Sequence, residues 1–162
     1  MGRGRQKGLA FAFWLASIGA AFGENCAQDH VDLRGDFGTV RFSVEIADDP
    51  VEQGVGLMNR PSMPQFSGML FVYSDVSEVA FWMKNTLIPL DMLFIDETGV
   101  VQRIHENAVP LDLTSIPAGS PVLAVLEING GLSAKLGITE GSELRHPAFA
   151  GYGPAWPCEN QP

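Results

Sequence analysis

The sequence predicts a mainly β protein, an antiparallel sandwich or a partly closed barrel of the jelly-roll type, with two short helices. Three observations support this fold class. Several short segments alternate apolar and polar residues, as half-buried strands do. Turns rich in Gly and Pro separate these segments, and only two short stretches have helical spacing. Since long helices do not alternate with the strands in this pattern, a nucleotide-binding α/β sheet is not expected.

The first 23 residues have the pattern of a secretory signal peptide. Arg3, Arg5 and Lys7 form a cationic start. An apolar run from Leu9 to Phe22 follows, and Ala21-Phe22-Gly23 at its end has the small-x-small pattern of a cleavage site. This run is shorter than the roughly twenty apolar residues of a membrane anchor. We therefore expect cleavage and export to the periplasm or the medium, with no stable membrane span afterwards.

The rest of the chain is expected to form one domain. We divide it into a lead-in at 24–37, a β domain at 38–146 and an irregular tail at 147–162. The formal charge of −9 becomes −12 once the three cations of the signal peptide are removed. Nucleic acids and anionic lipid surfaces are bound through clusters of Lys and Arg, so neither is expected as a partner.

Two cysteines remain in the mature chain, one near each end. In an oxidising compartment Cys26 and Cys158 are candidates for a disulfide, and the alternative is two free thiols. Isolated cysteines without a nearby His do not have the spacing of metal ligands. Phosphate loops, dinucleotide fingerprints and nucleophile elbows are also missing from the sequence. We therefore expect no metal and no other cofactor.

The first predicted strand and the first helix follow each other directly. Residues 40–46 alternate apolar and polar side chains, which indicates a half-buried strand. Asp49, Pro50 and Glu52 have the order of a helix start, with Asp49 as the N-cap. Apolar residues then recur at helical spacing, and we expect them to share a face: Val51, Val55 and Met58. Glycines within this segment lower helix propensity, so the helix is expected to be short.

Further segments complete the predicted sheet. Residues 68–73 are apolar on both faces and indicate a central strand. The segment Phe81–Asp91 is interpreted as strand, turn and strand, and it continues to residue 96. A turn at 97–99 then leads into a strand at 100–106, and prolines mark a long loop from about 107 to 121.

The last strongly apolar segment contains an acid. Residues 122–128 have the pattern of a buried strand, in which Glu127 stands among apolar neighbours. An acid in such surroundings is expected to have a raised pKa or a fixed partner. A short helix is predicted at 132–136, ended by Gly137, followed by a final strand at 138–144.

Asp91 is the second acid that the strand pattern places in the core, because it shares a face with Leu93 and Ile95. A buried carboxylate requires a cation or several hydrogen-bond donors. Lys84 and Asn85 are the nearest suppliers in the sequence. We therefore predict a polar cluster around Lys84, Asp91 and Glu127.

Candidate ligand-binding residues are the polar and aromatic side chains of these strands and turns: Arg60, Trp82, Lys84, Asn85, Asp91, His105, Glu106, Asn107, Glu127 and Asn129. Arg60 has an alternative interpretation as a cation at the end of the first helix. A metal site formed by His105, Glu106 and Glu127 is disfavoured, because adjacent strand residues face opposite ways.

Three interpretations of these residues remain open. The first is a periplasmic module that binds a small molecule or a protein partner, with Trp82, Tyr73 or Trp156 as an exposed aromatic contact. The second is a small hydrolase or lyase that uses Asp91 or Glu127 as general base. The third is a buried polar network that only fixes strand register.

The motifs of the chain resemble the domain of unknown function 192 family, whose members are often exported. The matching stretches cover roughly residues 38 to 146: Gly56-Leu57-Met58 with Arg60, Gly68–Phe71, Phe81–Met92, Ile104–Asn107 and Leu126–Gly131. The resemblance implies a compact, mainly β domain similar to a jelly-roll sandwich. It implies no established activity.

Overall fold

The computed structural model describes Met1 and residues 26–158, so the predicted signal peptide lies outside the described residues apart from Met1. The elements follow one another along the chain as β1 (His30–Gly35), β2 (Gly38–Ala47), α1 (Pro50–Val55), β3 (Ser67–Ser77), β4 (Ala80–Phe81), β5 (Leu90–Ile95), β6 (Val101–Ala108), β7 (Ile116–Pro117), β8 (Val122–Asn129), α2 (Leu132–Leu136) and β9 (Glu143–Arg145). A 3₁₀ helix at Pro147–Tyr152 follows β9.

One large sheet organises the molecule. Its strand order is β6-β5-β8-β3-β2-β1-β9, and β4 pairs with β7 separately. The pairs are antiparallel except for β2 with β3, which are parallel and are connected through α1. A bridge between Val100 and Glu143 joins the two edges of the sheet. The sheet is therefore curled into a partly closed barrel, and the predicted mainly β fold with two short helices is confirmed.

Apolar side chains point to both sides of the central strands, and other parts of the chain pack on each face of the sheet. One face carries Leu93, Leu126 and Ile128 and packs toward β1 and β9. The other carries Phe71, Met92, Phe94 and Val125, and Leu57 and Met83 from loops and Ile116 from β7 cover it. β8 lies between β3 and β5, so all its residues except Asn129 are buried. Each fully buried Leu, Ile or Phe contributes about 1.5–3 kcal/mol.

The first helix begins as predicted, but its apolar residues do not pack. The Asp49 carboxylate accepts hydrogen bonds from the backbone N–H groups of Val51 at 2.7 Å and Glu52 at 2.9 Å. Val51 and Val55 nevertheless have 74% and 55% of their surface exposed. The helix ends at Val55, and Gly56 then adopts a φ of 48°. Because the helix has fewer than two turns, an apolar stripe that extends to Met58 cannot form.

Both ends of the domain are more ordered than the predicted lead-in and tail. Residues 30–35 form β1, which pairs with β2 and β9 and buries Val31 and Leu33 completely. Past β9, the 3₁₀ helix buries Phe149. The final strand covers only Glu143–Arg145 rather than 138–144. Residues 82–89 form a loop between β4 and β5 in place of the longer strand pairing predicted there.

The predicted disulfide is present between Cys26 and Cys158, whose Cα atoms are 5.6 Å apart. Trp156 holds the C-terminal segment against the sheet, since the guanidinium carbons of Arg34 and Arg145 lie 4.6 and 4.4 Å from its ring centroid. Within the described part of the chain, no helix is long and apolar enough to span a membrane.

Candidate functional site

Glu127 is a buried acid at the centre of the large sheet. It is paired with Met69 of β3 on one side and Met92 of β5 on the other, and 4% of its surface is exposed. No described residue donates a hydrogen bond to its carboxyl group. Burial raises the pKa of Glu127 to about 8. Of the two outcomes predicted for this acid, the structure has the raised pKa rather than a fixed partner.

The Glu127 side chain reaches a cavity of about 170 Å³. We call it the Glu127 pocket and define it by six of its lining residues: Gln53, Phe71, Tyr73, Phe81, Trp82 and Glu127. These side chains come from α1, β3, β4, β8 and the loop after β4. The pocket therefore lies where α1, which connects β2 to β3, meets the loops that cover the face of the sheet with Phe71 and Met92.

Aromatic side chains form the wall of the Glu127 pocket. The rings of Phe71 and Phe81 meet edge to face, with centroids 5.0 Å apart. Burial and the nearby Glu127 charge raise the pKa of Tyr73 to about 12, so its hydroxyl stays neutral and can donate or accept a hydrogen bond. Trp82 is 49% exposed, and the Lys84 Nζ atom lies 5.1 Å from its ring centroid.

Two residues after β2 shape the pocket but were not among the predicted candidates. The Gln53 side chain donates hydrogen bonds to the carbonyl oxygens of Val72 at 2.9 Å and Ala47 at 3.3 Å, which fastens α1 to the sheet. A Cβ atom on Gly56 would lie 3.1 Å from the Phe71 ring. The sequence signal for Gly56 is its position directly after a capped helix; we find no comparable signal for Gln53.

Asp91 has a different environment from Glu127, and the predicted cluster of Lys84, Asp91 and Glu127 is wrong. Asp91 pairs with Ile128, so its side chain points to the opposite face of the sheet from that of Glu127. Its Oδ1 atom accepts from the backbone N–H groups of Asn107 at 2.8 Å and Gly131 at 2.7 Å. Its Oδ2 atom accepts from the N–H and hydroxyl of Ser133.

Lys84 is therefore not the partner of Asp91. The Lys84 side chain is exposed and forms no salt bridge with any acid in the described part of the chain. The carboxylate of Asp91 is satisfied by four donors, three of them backbone groups. This arrangement fits the predicted structural network at Asp91 and does not fit a general base, whose oxygen must be open to a substrate.

The other candidates are dispersed. Arg60 pairs with Glu45 through both guanidinium NH2 groups and lies beyond the end of α1, so it is not the predicted helix-terminal cation. Asn129 donates to the Pro64 carbonyl oxygen at 2.9 Å. The Asn85 amide lies 3.8 Å from the Met58 sulfur. Arg60 and Asn129 thus connect loops to the sheet, and Asn85 contacts a neighbouring loop.

His105, Glu106 and Asn107 line a second, larger cavity of about 350 Å³, together with Arg103. Glu127 is not part of that lining, so these residues do not join the Glu127 pocket. Among the described residues, no group of three His, Cys, Asp or Glu side chains could hold a metal ion. The Glu127 pocket can offer a ligand the carboxyl of Glu127 and the hydroxyl of Tyr73 beside aromatic side chains, and the polar side chains of Gln53 and Thr86 also line it.

Comparison with known proteins gives a consistent assignment. The family model DUF192, described as an uncharacterized ACR, matches residues 32–146. A crystal structure from Sinorhizobium meliloti 1021, of a protein described as a proposed transcription regulator, is 43% identical, has a TM-score of 0.71, and the match covers 74% of this chain and 94% of that one.

A second crystal structure, of a protein of unknown function from Novosphingobium aromaticivorans DSM 12444, is 44% identical with a TM-score of 0.70. That match covers 71% of this chain and 82% of the other. No curated protein matches the chain significantly. The family match starts within β1 and ends directly after β9, so it includes residues of every strand of the sheet. The chain therefore belongs to the DUF192 family.

Proposed function

We propose that this protein is an exported module that binds a small ligand in the Glu127 pocket. The observation that carries the proposal is a buried carboxyl group that faces a cavity and accepts no hydrogen bond from the described residues. The Glu127 oxygens are not among the completely buried unpartnered side-chain atoms of the described residues, so they are open to the pocket. A ligand that hydrogen-bonds to Glu127 would supply the donor that the described residues do not.

Other features of the Glu127 pocket also support ligand binding. Small-molecule sites are concave and combine apolar walls with polar groups that orient the ligand. Here Phe71 and Phe81 provide apolar walls, whereas Tyr73 and Glu127 provide polar atoms. Trp82 lies half exposed beside them and can contact a ligand as it enters. The contrast with Asp91, whose four donors leave nothing for a ligand, points to Glu127 rather than Asp91.

Export is supported by the pattern of the first 23 residues and by the Cys26–Cys158 disulfide. Disulfides persist in oxidising compartments and are rare in the cytosol. The description of the Sinorhizobium relative as a proposed transcription regulator does not favour DNA binding here, because a chain with a formal charge of −9 repels phosphates overall. We therefore prefer a small molecule to nucleic acid as the ligand.

The test is thermal unfolding of the oxidised protein with a panel of amines, carboxylates, saccharides, amides and divalent metals. A ligand at a hundredfold excess over its dissociation constant stabilises the native state by about 2.7 kcal/mol. We expect at least one class to raise the melting temperature, and we expect Trp82→Ala to remove the shift. Trp156→Ala is the matched control, because Trp156 lies between Arg34 and Arg145 outside the pocket. Absence of a shift with every compound would contradict the proposal.

A small hydrolase or lyase that uses Glu127 is the alternative. The pKa of about 8 favours it, since a general acid or base works best when its pKa is near the working pH. Asp91 no longer qualifies as the base, because its oxygens are occupied. Turnover of a bound compound that Glu127→Gln abolishes, while Trp82→Ala only weakens binding, would favour the enzyme over the binding module.

A further inference from the structure

We propose that the Glu127 pocket selects a ligand that carries an ammonium group on a short apolar stem. This inference rests on the proposed function, and it adds the chemical class of the ligand. Three features of the pocket support it: the buried carboxyl at its end, the aromatic rings around it, and the charges of the residues that line it.

The titratable groups of the pocket favour a cation over an anion, because the only charge that they can acquire is negative. Glu127 and Tyr73 are the titratable side chains among the described lining residues, which include no Lys, Arg or His. An anionic ligand would therefore meet no cation in the pocket and would lie next to an acid. An ammonium group provides both a positive charge and several N–H donors for a carboxylate that has no donor of its own.

The aromatic wall favours a cation over a neutral ligand. Organic ammonium groups are attracted to the faces of Trp, Tyr and Phe, and carboxylates often complete such sites. Trp82 already demonstrates this contact, because the Lys84 ammonium lies 5.1 Å from the centroid of its ring. Phe71, Tyr73 and Phe81 line the same pocket as Trp82 and Glu127.

The size of the pocket limits the ligand. A cavity of about 170 Å³ has the volume of about five or six waters in the liquid. That space accommodates a primary ammonium on a short alkyl chain, with the stem against Phe71 and Phe81. The n-butylammonium ion is a suitable probe, and its neutral and anionic counterparts are butan-1-ol and butyrate.

Binding of an ammonium ion should release a proton. Burial keeps Glu127 protonated at neutral pH, and an ammonium in the pocket favours the carboxylate, so the carboxylic acid loses its proton to the buffer as the ion pair forms. The residues paired with Glu127 are neutral, Met69 on β3 and Met92 on β5, and Tyr73 on β3 is the titratable side chain near it. Lys84 lies at Trp82, and Glu52 is exposed on α1.

The experiment is isothermal titration of the oxidised protein at pH 7 with the three probes, each in two buffers of different ionisation enthalpy. We expect n-butylammonium to bind at least about tenfold more tightly than butan-1-ol, butyrate not to bind, and the heat of amine binding to depend on the buffer. Glu127→Gln should weaken amine binding by at least about tenfold and remove the buffer dependence. Trp156→Ala should leave both unchanged.

The outcomes separate this inference from the proposed function. Equal or tighter binding of butan-1-ol or butyrate would overturn the ammonium assignment and leave the Glu127 pocket as a binding site, provided that Glu127→Gln or Trp82→Ala alters that binding. If n-butylammonium does not bind but another compound class raises the melting temperature, the ammonium assignment is likewise overturned and the Glu127 pocket remains a binding site. Failure of every probe and every class would overturn both proposals.

Discussion

Asp91 and Ser133 are joined by two hydrogen bonds, because the Oδ2 atom of Asp91 accepts from both the backbone N–H, at 2.8 Å, and the hydroxyl of Ser133. These bonds hold the first turn of α2 against β5. The other oxygen of the same carboxylate binds the N–H groups of Asn107 and Gly131. One buried acid thus connects the end of β6, the turn after β8 and the start of α2.

Replacement of Asp91 by Asn should destabilise the protein without affecting the Glu127 pocket. The side-chain amide of Asn has one oxygen and one NH2 group, so the NH2 group would face two of the four donors that now bind the carboxylate. Those buried donors would lose their acceptor, at a cost of about 2–4 kcal/mol. Urea unfolding checks this value. Ser133→Ala, which removes one of the four bonds, should cost about 1 kcal/mol. The exposed Asp36→Asn is the control, and equal stability of all three variants would contradict a structural role for Asp91.

Glu127→Gln should stabilise the protein, and the gain should depend on pH. The unfolded carboxyl loses its proton near its ordinary pKa of 4.5, whereas the folded one keeps it up to about 8. Between these values the native state binds more protons than the unfolded state, so the stability of the wild type falls as pH rises. Gln does not titrate, so the variant does not lose stability in this way. The free energy of unfolding of the variant should therefore exceed that of the wild type by an amount that grows from near zero at pH 4 to on the order of 3 kcal/mol at pH 7.

Chemical denaturation of Glu127→Gln at several pH values measures this advantage. Glu140→Gln, at an exposed position, is the matched control and should follow the wild type at every pH. A variant that is less stable than the wild type at pH 7 would mean that Glu127 has a donor in the folded protein. The same variant should bind n-butylammonium more weakly, so increased stability and decreased binding would distinguish a ligand site from a structural network.

Asp32→Asn should destabilise the pairing of β1, β2 and β9. Asp32 is buried and accepts from Arg41 at 2.7 and 2.9 Å and from Arg145 at 2.8 Å. Burial alone would raise the pKa of Asp32, but the two arginines outweigh it and hold the pKa below the ordinary 3.8. Loss of the carboxylate leaves Arg145 buried without its partner, at a cost of about 3 kcal/mol.

The acid limb of unfolding gives a second measurement on Asp32. Because its folded pKa is lowered, its contribution to stability is complete above the ordinary pKa and is lost as pH falls through the folded value. Stability of Asp32→Asn should therefore fall less steeply below pH 4 than stability of the wild type. Parallel curves for the two proteins would contradict this contribution, and Asp36→Asn again provides the control.

Reduction of the Cys26–Cys158 disulfide should lower stability by up to about 5 kcal/mol, because the bond closes a loop with a sequence separation of 132 residues. Denaturant unfolding with and without dithiothreitol measures the loss. In the Cys26→Ser, Cys158→Ser double variant, the reductant should have no effect. A wild type that is equally stable in both conditions would indicate that the bond constrains the unfolded chain very little.

Features with local causes could be predicted from the sequence. The N-cap at Asp49, the end of α2 at Gly137 and the burial of β8 all depend on neighbouring residues, and the structure has them at the predicted positions. The raised pKa of Glu127 could also be anticipated, because alternation within a single strand already places it among apolar side chains.

Features that depend on pairing between distant strands could not be predicted in the same way. The donors to Asp91 come from Asn107, Gly131 and Ser133, at separations of 16, 40 and 42 residues, whereas nearness in the sequence suggested Lys84. The sequence did not predict β1 either, because only two of its apolar residues point inward. Its strand structure is evident only from its pairing with β2 and β9. The register of β5 against β8, which separates Asp91 from Glu127, has no local signal.

The bond between Cys26 and Cys158 makes residues 26–158 a closed covalent ring. A single proteolytic cut within this ring, for example in the exposed segment around Leu111 and Leu113, opens the ring but leaves both fragments attached through the sulfurs. Such nicked protein would migrate as one species on a gel without reductant and as two with it. A cleavage event in an oxidising compartment would therefore not by itself release either half of the domain.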